Sequence, residues 1–137
     1  MKANVSSILL GVADMEKSKR FYTEGLGWTI KNDYGVSVFF ESDGGALVGF
    51  YGREGLAQQV GTNPEGSGFG GLVLTYVVRS QERVDEIIAE AEKAGATILK
   101  PAGALPWGGY GGTFADLDGY IWSLAYSAKA ADQPYAE

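Results

Sequence analysis

The chain has 137 residues, 45% of them apolar and 20% charged, which suffices for one globular domain without disulfides or a structural metal. It contains no cysteine and no histidine, which excludes disulfides, thiolate nucleophiles, sulfur-ligated metals and the usual general base near neutral pH. The net charge of −6 comes without a cluster of basic residues, so nucleic acid and membrane surfaces are poor partners, whereas a cationic small molecule is tolerated.

No segment reaches the roughly 20 consecutive apolar residues that span a bilayer. The apolar run at residues 8–12 follows a single lysine, is too short for the core of a signal peptide and lacks a cleavage site. Together with the absence of cysteine, which fits a reducing compartment, these features predict a cytoplasmic protein.

The first half of the chain predicts one strand, one helix and three further strands. Residues 5–12 are β-branched and aliphatic, as in a buried strand, and Asp14 is suited to cap a helix over residues 15–26. Gly25 and Gly27 would end this helix. Short strands are then predicted at residues 28–31, 36–41 and 46–51.

Between residues 52 and 70 the composition changes to Gly, Gln, Asn, Pro and Ser. This change predicts a linker or mobile loop at residues 53–70, with one helical turn near residues 54–58. The sequence leaves open whether the segment forms a lid.

The second half repeats the pattern of the first. A predicted strand at residues 72–78 precedes a helix that Ser80 caps and Gly95 ends, and this helix has the clearest amphipathic pattern in the chain. Strands are predicted at residues 96–100, 110–115 and 120–126, and the small polar tail from Lys129 is predicted to fray.

Three matches in the same order relate the two halves: residues 12–14 with 78–80, 27–30 with 95–98, and the Asp-Gly turns at 43–44 and 118–119. The offset between the halves grows from 66 to 68 and then to 75. Loop insertions in a duplicated βαβββ unit would produce such growth, so the sequence predicts an internal duplication.

Two motifs accompany this duplication. They are Asp14-x-x-x-Ser18-x-x-Phe21-Tyr22-x-x-x-Leu26-Gly27 and the glycine-rich run at residues 107–119. With the duplication, they resemble the vicinal oxygen chelate superfamily, in its glyoxalase/bleomycin-resistance-like branch, over residues 5–127. The resemblance implies an α+β domain spanning residues 1–137, with two βαβββ modules at about 5–52 and 71–127, the linker 53–70 and the tail 128–137. It further implies that the strands form a cup-shaped mixed sheet with the helices on its outer face, often completed by a second subunit, and therefore a homodimer.

In metal-dependent members the cup holds a divalent ion on His and Glu ligands from the first and last strand of each module. The resemblance places Ser7 and Val73 at the first-strand positions, and Val48 and Ser123 at the last-strand positions. These side chains offer neither the imidazole or thiolate that softer metals prefer nor the carboxylates that harder ones need. We therefore expect no metal and no other cofactor, and we expect the chain to lack glyoxalase, extradiol-cleaving and fosfomycin-type thiol transfer activities.

Strand alternation and the position of the glycine-rich run select the candidate ligand-binding residues: Ser7, Leu9, Phe39, Glu41, Val48, Phe50, Trp107, Tyr110 and Ser123. If the strand faces that carry them line the cup, the cavity is apolar and aromatic with a few hydroxyls and one carboxylate. Trp107 and Tyr110 would sit on a flexible loop that closes over a planar or cationic ligand. Alternatively, Trp107 plugs the end of the sheet or a dimer interface.

Other conspicuous residues are assigned structural roles. Trp122 alternates away from Ser123 and is expected to pack under a helix, and Phe21 and Tyr22 are expected in the core. Asp116 and Asp118 fit turn chemistry better than a metal pair. The glycine-rich runs at 66–71 and 108–112 lack the strand-to-helix setting that phosphate-binding loops need.

Three functions stay open. The first is a metal-free protein that sequesters an apolar or aromatic small molecule, such as an antibiotic or a metabolite. The second is a metal-independent isomerase, lyase or cyclase, whose general acid or base would be Glu41, Asp33 or a tyrosine with a shifted pKa. A third reading, a purely dimer-forming or regulatory protein, would require a filled cup.

Overall fold

The computed structural model describes residues 1–3, 5–66, 68–70, 72–134 and 136–137. The chain divides into two compact units, Met1–Gly68 and Phe69–Glu137, and each unit contains one four-stranded mixed sheet with its own helices. Among the described residues, no helix combines the length and the apolar character needed to cross a bilayer.

The first unit contains strands β1 (Ser7–Val12), β2 (Ile30–Asp33), β3 (Ser37–Phe40) and β4 (Leu47–Gly52). They are ordered β1-β4-β3-β2, with β1 and β4 parallel. Helix α1 (Met15–Arg20) begins after Asp14, whose carboxylate accepts a hydrogen bond of 3.1 Å from the backbone N–H of Lys17, as the capping prediction requires. The helix continues as a π-helical turn at Phe21–Gly25, and a second helix, α2 (Arg53–Val60), directly follows β4.

The second unit contains strands β5 (Val73–Val77), β6 (Thr97–Ala104), β7 (Tyr110–Ala115) and β8 (Ile121–Tyr126). They are ordered β5-β8-β7-β6, with β5 and β8 parallel. Between β5 and β6 lies helix α3 (Gln81–Ala94), which is capped by Ser80 and ends at Gly95, whose φ of 110° suits glycine. Both helix ends were predicted from the sequence. A short helix, α4 (Ala128–Ala131), follows β8.

The two sheets have the same topology, which confirms the predicted α+β fold of two βαβββ units. Their second strands even share an irregularity at the same place. The register shifts between Ile30 and Asn32 in β2, and between Ile98 and Lys100 in β6. The bulge is thus a repeated feature of the duplicated unit.

Aromatic side chains form the core of the first unit. The Tyr22 ring, in the π-helical turn, lies with its centroid 4.9 Å from that of Phe50 and 4.7 Å from that of Trp28. Phe40 packs edge-on against Phe50 at 5.0 Å. Phe21 and Tyr22 are both buried, which confirms their predicted core role.

In the second unit, the core forms between α3 and its sheet. The ring of Phe114 in β7 stacks on that of Trp122 in β8 with 6.5 Å between centroids. Val84 and Ala91 of α3 are fully buried. Trp122 is 8% exposed, as its predicted core position requires.

The segment predicted as a linker contains more structure than one helical turn. Helix α2 has eight residues and starts beside Gly11, where an added Cβ would lie 3.2 Å from the Cα of Arg53. The guanidinium of Arg53 donates a hydrogen bond of 2.6 Å to the carbonyl oxygen of Pro64. Arg53 thus links the start of α2 to β1 and to the segment around Pro64 within the first unit, while residue 67 lies outside the described residues.

The prediction that the tail frays was wrong. The backbone N–H of Glu137 donates to the carbonyl oxygen of Val77, and the N–H of Arg79 donates to that of Glu137, both at 2.9 Å. The guanidinium of Arg83 on α3 also binds both carboxylate oxygens of Glu137, at 2.8 and 3.0 Å. Backbone pairing along the edge of β5 and this bidentate ion pair hold a segment whose composition alone suggests disorder.

Candidate functional site

Each sheet has one face that packs on a core helix, α1 or α3, and an opposite face that we call the distal face. Strand alternation and the pairing register define these faces. The distal face of the first sheet carries Ser7, Leu9, Gly11, Asn32, Ser37, Phe39, Leu47, Gly49 and Tyr51. The distal face of the second sheet carries Val73, Thr75, Val77, Thr97, Lys100, Gly103, Gly111, Thr113, Ala115, Ile121, Ser123 and Ala125.

The predicted site residues of the first unit divide between the two faces of its sheet. Ser7, Leu9 and Phe39 lie together on the distal face. Phe50, by contrast, is 0% exposed and packs on Tyr22 in the helix-side core. Val48 shares the face of Phe50 because the two are separated by one residue of β4. Val48 and Phe50 therefore do not line the surface that carries Ser7.

The register shows that Val48 was assigned to the last-strand position one residue too early. Ser123 pairs with Thr113 in the second sheet, and the corresponding pair in the first sheet is Gly49 with Phe39. The turn that starts at Asp43 has one residue more before its strand than the turn at Asp118. Counting from the two aspartates therefore placed Val48 on the wrong face.

Phe39 is the main aromatic group on the distal face of the first sheet. Its side chain covers Gly49, where an added Cβ would lie 2.7 Å from Cδ1 and Cε1 of the ring. The ring of Tyr34 meets it edge-on with 6.4 Å between centroids. Phe39 is half-buried, whereas Tyr34 is mostly exposed, so this aromatic pair is not sealed in the core.

Trp107 and Tyr110 are held by different contacts. Trp107 lies at the tip of the β6–β7 connection, is 64% exposed, and covers Gly109 so closely that a side chain there would overlap its ring. The tip is closed by hydrogen bonds from Leu105 N–H to the Gly109 carbonyl and from Gly108 N–H to the Leu105 carbonyl, at 2.8 and 3.0 Å. It is thus an ordered turn in place of the predicted flexible loop.

Tyr110 points toward α3. Its hydroxyl donates a hydrogen bond of 2.6 Å to the carboxylate of Asp85 on that helix. This bond, reinforced by the negative charges of Asp85 and Glu82, raises the pKa of Tyr110 above its ordinary value. Tyr110 therefore connects β7 to α3 and lies on the opposite face of the sheet from Ser123.

The candidate acid–base residues differ in their surroundings. Glu41 is exposed directly after β3, and its backbone N–H donates to the carbonyl oxygen of Thr29. Asp33 accepts hydrogen bonds from the backbone N–H of Gly35 and from the ammonium of Lys19, which hold the pKa of this carboxyl below its usual value. An ionised, paired Asp33 is a weak base, which leaves Glu41 as the carboxylate candidate.

Asp116 serves the turn before β8, as predicted. Its Oδ1 accepts hydrogen bonds from the backbone N–H groups of Asp118 and Tyr120, both at 2.9 Å. Asp116 is buried, and Gly119 has the positive φ of 88° that completes the turn. This carboxylate therefore stabilises the connection between β7 and β8.

The distal faces do not fit the divalent ion that the motifs imply. At the first-strand and last-strand positions stand Ser7, Gly49, Val73 and Ser123, which offer two hydroxyls and no imidazole or carboxylate. Within the described part of the chain, no three or more His, Cys, Asp or Glu side chains are grouped so as to hold a metal.

Gly49, Thr75, Thr113 and Lys100 lie beside the predicted residues on the distal faces and were not selected from the sequence. Their positions depend on which residues face each other across strands, and bulges and turn lengths decide this pairing. Once the strand partners of Ser123 and Phe39 are known, the residues opposite them on the neighbouring strands identify these four positions.

Comparisons with known proteins agree with this architecture. The family model described as Glyoxalase/Bleomycin resistance protein/Dioxygenase superfamily matches residues 4–124. No curated protein matches the sequence. Among solved structures, a glyoxalase-related enzyme from Fulvimarina pelagi is 33% identical, covers 92% of this chain and 89% of its own, and has a TM-score of 0.85.

Two more distant structures share the fold. A glyoxalase/bleomycin resistance protein/dioxygenase family enzyme from Burkholderia phytofirmans PsJN is 21% identical, with 90% of this chain and 98% of that chain covered and a TM-score of 0.79. A lactoylglutathione lyase from Agrobacterium tumefaciens is 16% identical, with 93% and 96% covered and a TM-score of 0.68. The chain therefore belongs to the glyoxalase/bleomycin resistance protein/dioxygenase superfamily, the vicinal oxygen chelate superfamily that its motifs resemble.

Proposed function

We propose that this chain is a metal-independent small-molecule-binding protein that sequesters an apolar or aromatic ligand, such as an antibiotic or a metabolite. The observation that carries the proposal is the position of Phe39, which covers Gly49 on the distal face of the first sheet and stays half-buried. An aromatic side chain held this way offers a surface for an aromatic ring of the ligand.

The surroundings of Phe39 support an apolar ligand. Leu9 adds hydrocarbon and Ser7 a hydroxyl on the same face, and the residues of β1, β3 and β4 on that face carry no carboxylate or ammonium group. Small-molecule sites commonly combine an apolar lining with a few polar groups. The net charge of −6 means that a positive charge on the ligand is tolerated.

The test is calorimetric titration of 1-naphthol into the protein in the presence of EDTA. We expect saturable binding that Phe39→Leu weakens about fivefold, because stacking of this kind contributes roughly 1 kcal/mol beyond area burial. Phe69→Leu is the matched control, since Phe69 is an exposed phenylalanine outside the sheets. Equal weakening by both substitutions, or no binding of naphthol at all, would contradict the proposal.

A second candidate is a metal-independent lyase or isomerase. It is favoured by the 33% identity to a Fulvimarina pelagi protein that is named a glyoxalase-related enzyme. Glu41 would then act as the general acid or base. For any substrate that is turned over, Glu41→Gln should abolish turnover and preserve binding; full activity of this variant would exclude that role.

We also expect a homodimer located in the cytoplasm. Native mass spectrometry of protein purified from its own host would measure the dimer mass and detect a co-purifying small molecule. A monomer mass at micromolar concentration would contradict the expected assembly.

A further inference from the structure

We propose that the distal face of the second sheet binds small organic anions through a row of polar side chains that crosses all four strands. The row consists of Thr75 on β5, Ser123 on β8, Thr113 on β7 and Lys100 on β6. Ser123 is paired with Thr75 on one side and with Thr113 on the other, and Lys100 is paired with Thr113. Because neighbouring strands lie about 4.8 Å apart, the hydroxyls form a continuous line of donors.

The bulge in β6 brings the lysine into this row. Ile98 pairs with Phe114, so a regular strand would place Leu99 opposite Thr113. The register shift after Ile98 places Lys100 there. The row thus ends in a positive charge at one edge of the sheet.

The four side chains are available to a ligand. Thr75 and Lys100 are exposed, and Thr113 and Ser123 are half-buried. Among the described residues, the hydrogen bonds and ion pairs include none from these three hydroxyls or from the Lys100 ammonium. The other strand residues of this face are Thr97 and several glycines, alanines, valines and isoleucines, so no carboxylate competes for the donors.

The first sheet shows that the fold does not require this row. The corresponding positions there hold Leu9, Gly49, Phe39 and Asn32, with the same pairing register. One polar side chain thus stands where the second sheet has four. The row is therefore specific to the second unit, as expected of a binding feature.

The chemistry of the row selects an anionic oxygen group. A carboxylate or a phosphate accepts several hydrogen bonds at once, hydroxyls can supply them, and an ammonium adds charge-assisted strength. A cationic group would meet Lys100 with repulsion. Carboxylate and phosphate share this chemistry and are separated by experiment.

The test is calorimetric titration with four probes: benzoate, phenyl phosphate, neutral benzyl alcohol and cationic benzylamine. We expect at least one of the two anions to bind at least about tenfold more tightly than benzyl alcohol, with benzylamine the weakest. The preferred anion distinguishes a carboxylate site from a phosphate site. Equal binding of anion and alcohol, or stronger binding of benzylamine, would overturn the proposal.

Variants locate the site. Lys100→Met and Thr113→Val should each weaken binding of the preferred anion about tenfold. Lys31→Met, at the corresponding bulge of the first sheet, is the matched control and should leave anion binding unchanged. Equal loss in Lys31→Met would show a nonspecific charge effect and overturn the proposal. Naphthol binding at Phe39 is measured separately, so either proposal can fail while the other stands.

Discussion

Gly49 and Ser123 occupy the same position in two sheets of identical topology, and they leave different surfaces around them. Gly49 pairs with Phe39, whose ring occupies the space above the glycine, whereas Ser123 pairs with Thr113 and keeps a hydroxyl there. At this position the duplicated scaffold has therefore diverged, with an aromatic ring in the first sheet and two hydroxyl-bearing side chains in the second. Neither face presents the ligands of a divalent ion.

Gly49→Ala should both destabilise the first unit and displace Phe39. The new Cβ would lie 2.7 Å from two atoms of the Phe39 ring and 3.1 Å from the carbonyl oxygen of Val38. Overpacking of this kind costs about 1–3 kcal/mol in the free energy of unfolding, measured by urea denaturation. Naphthol affinity should fall as well. Gly103→Ala, with no atom within 4 Å of its added Cβ, is the control and should change neither quantity appreciably.

Asp85→Asn should lower the pKa of Tyr110 toward its ordinary value near 10. The neutral phenol donates its proton to the Asp85 carboxylate, and this bond and the nearby negative charge oppose ionisation. Ultraviolet difference titration, with Tyr110→Phe to assign the transition, measures the change. An unchanged titration curve would show that Tyr110 is not bonded to Asp85 in solution.

Glu137→Gln should weaken the attachment of the tail to α3 and β5. It should also make the free energy of unfolding depend less on pH below about pH 4.5. Arg83 holds the pKa of Glu137 below its usual value of 4.5, helped by a hydrogen bond from Tyr76. A lowered folded-state pKa contributes stability that is present above pH 4.5 and lost as pH falls through the folded value. Because both side chains are partly exposed, the loss at neutral pH is about 1 kcal/mol or less.

Amide hydrogen exchange gives the structural readout for this variant. The N–H groups of Arg79 and Glu137 should exchange faster in Glu137→Gln, while those inside α3 stay protected. Equal protection of the two N–H groups in wild type and variant would show that the ion pair does not hold the tail.

Asp116→Ala should destabilise the second unit by about 1–3 kcal/mol, because the backbone N–H groups of Asp118 and Tyr120 lose their buried acceptor. Asp116→Asn retains a carbonyl oxygen that can accept these hydrogen bonds, so its free energy of unfolding should fall clearly less than that of Asp116→Ala. Urea denaturation of both variants measures the difference. Equal losses would indicate that charge, and not hydrogen bonding, stabilises the turn.

Local chemistry made much of the fold predictable. The side-chain cap at Ser80, the left-handed glycine at Gly95 and the apolar face between them determine α3 almost without tertiary information. Trp122 was placed in the core because it alternates with Ser123 along one strand. The order of these patterns in the two halves was enough to reveal the duplication.

The candidate site depended on non-local features that the sequence does not display. One extra residue in the turn after Asp43 moved Val48 to the core side of the sheet, and the bulge in β6 moved Lys100 to the distal side. The ordered tail likewise depends on Arg83, which lies 54 positions earlier in the chain. Such pairings are visible only once the strands and helices are assembled.

The central claim is that this member of the superfamily recognises its ligand without a divalent ion. The most direct measurement is calorimetric titration of 1-naphthol into EDTA-treated protein, repeated after saturation with Zn²⁺, Ni²⁺ or Mn²⁺. We predict a Kd that is the same with and without metal within about twofold, since the donor groups on the distal faces are hydroxyls. Binding that appears, or tightens tenfold or more, only when a metal is added would contradict the claim.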